Sequence, residues 1–357
     1  MRQRSVFLFC RRGSCSVALL LVGLASSATL TAARYEWRGG GQVEDPESWS
    51  PSARFDPAAV DEYWMSHARK GRLSAPLELP ASSFVVGQND RSEGAQLTLK
   101  RSGRLRVGAF SVAVGKSISK PSTVALESGC SIETGAANIG LQSDGWLEID
   151  PGAEFIAGGD VRLGSGPDAV GTITNRGDYH QAHQLYFAEH GGQAKFVHAK
   201  GATSRMRVAQ LALNPEHPDR SAVLELIGSG GGGFYLSNSG IGGGAALQAG
   251  HPSAVLRWVF DADGVTPITL TGPAGIAALE AATLELDLDA LASAGTYPLI
   301  QLQRRGEIQA SGVQVAFLGE RTGDVAIDES TGDLVVHVSD LPAAPDSGAS
   351  ALTRQNK

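Results

Sequence analysis

Five short segments in the middle of this chain repeat, and a repeat of their length leaves few folds open. They are LTLKRSGRL from Leu97, VALESGCSI from Val124, LEIDPGAEF from Leu147, TITNRGDYH from Thr172 and FVHAKGATS from Phe196. Each carries a turn glycine, and these glycines (Gly103, Gly129, Gly152, Gly177 and Gly201) are 26, 23, 25 and 24 residues apart. A second run follows each glycine: SVAVG at Ser111, NIGL at Asn138, DVRLG at Asp160, QLYFA at Gln184 and QLALN at Gln210. Apolar residues alternating with small or polar ones mark a strand with one buried face. A coil of ~24 residues cannot bury such a face alone, but stacked coils bury a continuous stripe and pair each strand with its equivalents above and below. The expected fold is all-β: a right-handed parallel β-helix, or β-solenoid, of about five to seven coils with an N-terminal cap and a C-terminal β-region. A β-sandwich with evenly spaced hairpins is the alternative.

Composition agrees with many turns and short strands, since the 357 residues include 45 Gly and 16 Pro and only 6% are aromatic. Leu99, Leu126, Ile149, Val161 and Leu163 are expected to point into the core. The expected organisation is a signal peptide over 1–33, a cap with a short helix over 34–95, and solenoid repeats over 96–226. A glycine-rich coil and C-terminal β-region over 227–340 and a disordered tail over 341–357 complete it. The helix is placed at PAAVDEYWMSHARKG, residues 57–71, for its alanines and for Asp61 in its first turn. In the glycine-rich stretch 227–244, Phe234, Tyr235 and Leu236 read as a strand of a looser coil.

The N-terminus has the order of a secretory signal. Arg2, Arg4, Arg11 and Arg12 precede the apolar VALLLVGLA of residues 17–25, and small residues follow. That apolar run is short for a membrane span, and none is expected after cleavage. Of the 30 basic residues, 4 lie in residues 1–33 with no Asp or Glu, so the remainder has 30 − 4 = 26 basic against 37 acidic residues, a net of −11. Such a chain is not expected to bind nucleic acid. Cys10 and Cys15 leave with the signal, and Cys130 is then alone, without an internal disulfide.

Two stretches carry a resemblance. Trp37, Gly39, Gly40 and Trp49 lie in YEWRGGGQVEDPESW, and this opening resembles that of bacterial autotransporter-type secreted β-solenoid proteins. Ser50-Pro51 departs from the common form of that opening. Gly295, Tyr297, Leu299 and Ile300, then Gly332, Leu334, Val336 and Val338, resemble the C-terminal β-region of autotransporter passengers with autotransporter-associated β-strands. The resemblance implies an exported passenger-like solenoid, with an N-terminal edge strand and cap. The outer-membrane barrel of a full autotransporter is not expected, because no series of ~10-residue amphipathic strands follows.

Chemistry is sparse by comparison. Parallel β-helices host polysaccharide lyases and hydrolases, which use clustered acids, Ca²⁺ or a base on one outer face. The available acids are Asp144, Glu148, Asp150, Glu154, Asp160, Asp168 and Asp178, and Asp150, Asp160 and Asp178 fall at different offsets from their turn glycines. His180, His183, His190 and His198 cluster in sequence, but residues three apart on a strand face opposite sides. Asp261-Ala-Asp263-Gly264 matches half of a calcium loop without its remaining ligands and reads as a β-turn. No catalytic, cofactor-binding or metal residues are therefore assigned. The expected role is an exported, non-catalytic structural or adhesive element of the cell surface or extracellular space. Its expected partners are surface polysaccharide or other cell-envelope proteins. A polysaccharide lyase or glycoside hydrolase is the alternative.

Overall fold

The computed structural model describes residues 32–39, 41–66, 69–88, 93–115, 120–211, 222–238, 244–273 and 275–339. In each turn the chain crosses three faces, and each strand lies parallel on its equivalent in the next turn. Face 1 is a ten-stranded ladder from Lys70–Leu73 to Gln314–Phe317. Faces 2 and 3 run side by side within a second, 20-stranded sheet. In the fourth turn, for example, Gly145–Ile149 forms face 1, Glu154–Ala157 face 2 and Val161–Leu163 face 3. In the three preceding turns one bent strand serves faces 2 and 3 together, as in Ser131–Ile139.

The fold is thus a parallel β-solenoid of about ten turns rather than five to seven, and parallel ladders exclude the sandwich. The turns beyond the recognised repeats escape a sequence search because they are longer. Along one inward column of face 1, Gly71, Leu97, Val124, Leu147, Ile173 and Phe196 follow one another at 23 to 27 residues. From Phe196 through Leu224, Leu256 and Leu284 to Val315 the step is 28 to 32. The extra residues fall between the strands in sequence, and the ladders stay in register.

Strand alternation fills the interior with columns of like residues. Leu99, Leu126 and Ile149 stack on face 1, and Val161 and Leu163 on face 3, all fully buried as expected. Further along, the Leu99 column changes character. Its next two members are Asn175 and His198, and Ser204 meets them from face 2. The Asn175 amide nitrogen donates to Ser204 Oγ (3.0 Å) and to Thr203 O (2.8 Å), and His198 Nδ1 lies 2.9 Å from the same hydroxyl. Burial without a counter-charge lowers the His198 pKa to about 4.

The repeat glycines occupy two adjacent positions. Gly129, Gly152 and Gly201 have φ near +80°, which glycine adopts without strain. Gly103 and Gly177 sit one residue later in their turns, at the corner just before face 2. There a Cβ would meet Leu73 O at 2.3 Å and Asp150 O at 2.4 Å respectively. Cys130, Ala153 and Ala202 fill the same corner in other turns. The lone thiol is a small buried member of that column, and burial raises its pKa.

The expected helix at 57–71 is not formed: Glu62–Ser66 and Lys70–Leu73 are strands. Tyr63 and Met65 point inward and alternate with the half-buried Glu62 and Trp64, and the strand lies between Arg34–Trp37 and Pro76–Gln88. Burial of Tyr63 against Tyr35 and Trp49 overrides the helical propensity of the alanines. Among the described residues the cap contains instead a 3-10 turn at Pro46–Ser48. No helix among the described residues is long and apolar enough to cross a membrane. The expected tail, 341–357, lies outside the described residues, as does the expected signal, 1–33, except for Ala32 and Ala33.

Candidate functional site

Along each strand of a solenoid the side chains point alternately inward and outward, so any surface site is built as rows across turns at ~4.8 Å spacing. On face 3 one outward row reads Ser111, Asn138, Arg162, Tyr186 and Gln210. On face 2 another reads Glu78, Arg106, Glu133, Ile156, His180 and Arg205. Apart from Ile156, every member of the two rows presents a hydrogen-bonding side chain on the paired ladder. A shallow cleft of about 380 Å³ opens on face 2 between Arg104, Arg106, Glu133 and Glu154.

Two arginines of these rows lie beside acidic groups. Arg106 lies 3.1 Å from Glu133 and 3.9 Å from Glu78. Arg162 holds Glu189 at 2.8 Å, with Asp160 at 3.7 Å, and its guanidinium lies 5.2 Å from the Tyr186 ring centre. Desolvation first, and then the Asp160 charge, raise the Tyr186 pKa, so its hydroxyl stays a neutral donor and acceptor. Arg205 lies over Tyr235 at 5.5 Å in the same manner. Guanidinium, phenol and amide groups on a flat ladder suit an extended, polyhydroxylated chain, which each can hydrogen-bond.

The candidate acids scatter, with one exception. Glu148 is on the outside of face 1, and Asp150 pairs with Arg176 at a corner (3.6 Å). Asp160 lies at the corner between faces 2 and 3, while Asp144 and Asp168 precede face 1 strands. Glu154 and Asp178, however, are register partners on adjacent turns of face 2, with His180 Nε2 3.8 Å from Glu154. The turn glycines conceal this coincidence, because Gly152 and Gly177 are not themselves equivalent positions.

The four histidines do not converge. His180 is on face 2, His183 faces Asp160 at 3.8 Å, His190 lies beside Glu189, and His198 is in the core. No group of three His, Cys, Asp or Glu poised to hold a metal occurs among the described residues. The Asp261 turn serves a purpose the sequence did not announce. Its carboxylate takes Lys200 Nζ at 2.7 Å, the Ser229 N–H and hydroxyl at 2.9 Å, and the N–H groups of Asp263 and Gly264 at 3.0 Å. These partners hold it ionised well below the usual carboxylate range, despite an opposing desolvation. They also clasp three turns together. Compared with known proteins, the chain matches no family model and no curated protein.

Proposed function

We propose that this protein is an exported, non-catalytic β-solenoid of the cell surface or extracellular space, which binds surface polysaccharide along faces 2 and 3. The observation that carries the reading is the pair of outward rows, Ser111 to Gln210 and Glu78 to Arg205, repeated at the strand spacing. A rigid row loses little entropy on binding an extended polymer, and many modest contacts along it add up. The N-terminal order of basic, apolar and small residues supports export. The tryptophan and glycine opening and the GTYPLI segment support kinship with autotransporter passengers. Right-handed winding is part of the proposal, since crossover connections between parallel strands almost always take that hand.

Purified chain from Arg34 onward, mixed with neutral and acidic polysaccharides with and without Ca²⁺, tests the reading. Binding without turnover is expected, and the double change Arg162→Ala with Tyr186→Ala should weaken it at least about tenfold, the loss of ~1.4 kcal/mol of contact. Absence of binding to every polysaccharide would leave only an architectural role.

A second reading, a lyase or hydrolase, is favoured by one observation: the Glu154 and Asp178 carboxylates share a register beside His180. Paired carboxylates across a scissile bond are the machinery of glycoside hydrolysis. Release of reducing or unsaturated ends that Glu154→Gln or Asp178→Asn abolishes would replace the adhesive reading with this one.

A further inference from the structure

The face 1 ladder ends at Gln314–Phe317, whose one strand partner among the described residues is Thr283–Asp287. The Gln314 N–H donates to Ala282 O and the Leu318 N–H to Leu286 O, both at 2.9 Å. Successive residues of a strand direct their N–H and C=O groups to opposite sides. Those of Val315 and Phe317 therefore point away from the preceding turn, toward the end of the solenoid. Their side chains complete the inward columns, yet Val315 is 41% exposed, and Leu318 and Ile327 are 49% and 41% exposed. Proteins ordinarily blunt such an edge with charge, proline or a bulge. Residues 311–319, SGVQVAFLG, contain no charge and no proline.

We propose that a second copy of this chain covers this edge, in a two-fold, end-to-end dimer whose Gln314–Phe317 strands pair antiparallel. The hydrogen-bonding pattern is self-complementary. A two-fold axis at Ala316 sets Val315 against Phe317 of the second copy and Phe317 against its Val315. Each such pair exchanges both of its bonds, so every free group on the edge is satisfied. Charge favours the same approach. The chain is net acidic, and a neutral segment is where two copies meet without repulsion. The other end of the solenoid is a poor partner for a head-to-tail fibre. There the Val43 N–H already donates to Arg72 O (2.8 Å), and Gln42 bridges Arg72, so that edge is blocked at Arg72. The stretch that directly follows Ser339 is a poorer occupant, because Pro342 and Pro345 supply no ladder donors.

The test is the mass in solution of the chain from Arg34 to Lys357, by analytical ultracentrifugation over a wide concentration range. Val315→Pro removes an N–H that the chain's own ladder does not use, and Leu318→Glu places a like charge in the contact. The wild type should pass from one chain to two as concentration rises. Each variant should stay at one chain, with the circular dichroism and dilute-solution melting point of the wild type. A wild type that is one chain throughout, a dimer that survives both changes, or growth beyond two chains would overturn the proposal. So would a dimer that forms only after residues 340–357 are removed, because the tail would then be the natural occupant.

Discussion

The two ends of this solenoid finish the same ladders in different ways. At the N-terminal end, Trp49 sits edge-on to Trp37, Tyr63 and Phe84, with ring centres 5.5 to 5.9 Å apart, and its indole N–H donates to Val43 O at 2.8 Å. Val43 and Met65 close over Gly71, where the first inward column of face 1 begins. At the C-terminal end, Leu334–Val338 pairs antiparallel with Gly295–Leu302, and Asp324–Ile327 pairs with it in turn. That ribbon finishes face 2. Face 3 stops at Glu307–Gln309 and face 1 at Gln314–Phe317, each with a strand on one side among the described residues. Capping is therefore two tasks, covering the end of the core and satisfying the last strand edge. The N-terminal segment does both on face 1, while the C-terminal ribbon does neither there.

Substitutions at either end put this contrast to the test. Trp49→Ala should cost ~3–5 kcal/mol, because the ring is fully buried and Trp37, Tyr63 and Phe84 all lose packing. Leu126→Ala, in a turn covered on both sides, should cost ~2–5 kcal/mol. Denaturant titration of the chain from Arg34 reads both, and a small effect at Trp49 would mean that the aromatic plug is dispensable.

The middle of the molecule supplies a pH-dependent reference for both ends. His198 titrates near 6.5 when unfolded and about 4 when folded, so the unfolded chain binds the proton first. Stability should be full above about pH 6.5 and fall as pH drops toward 4, by roughly 3 kcal/mol from this group. His198→Leu should flatten that part of the pH–stability curve. An unchanged slope would show that the loss arises elsewhere.

Val315→Ala should cost less than ~1 kcal/mol in dilute solution, since a half-exposed side chain leaves little cavity. Hydrogen exchange offers the finest reading of the same difference. The Val315 and Phe317 amides should exchange with little protection in a monomer, whereas the Val43 amide, bonded to Arg72, should be protected.

The sequence made the middle turns legible and left the ends obscure, for physical reasons. Leu99, Leu126 and Ile149 could be assigned to the core because short, even corners preserve the period between them. The turns after Phe196 obey the same ladders, but corner residues added between strands hide the repeat. The 57–71 segment misled because Tyr63 and Met65 alternate over too few residues to outweigh helix-forming neighbours. Of the candidate surface, the outward rows follow once the register is known. So does the Glu154–Asp178 pairing, whereas the Lys200–Asp261 clasp does not, since it joins residues of corners two turns apart.

Corner length and ladder spacing are independent here, and that independence makes the molecule a graduated spacer. Turns of 23 residues and of 32 residues advance the axis by the same ~4.8 Å, so ten strands of face 1 span roughly 43 Å however much sequence the corners hold. Drift in the corners can then remodel what the rod displays without altering how far apart it holds its two ends. Only gain or loss of a whole turn changes that distance, and it does so in fixed steps.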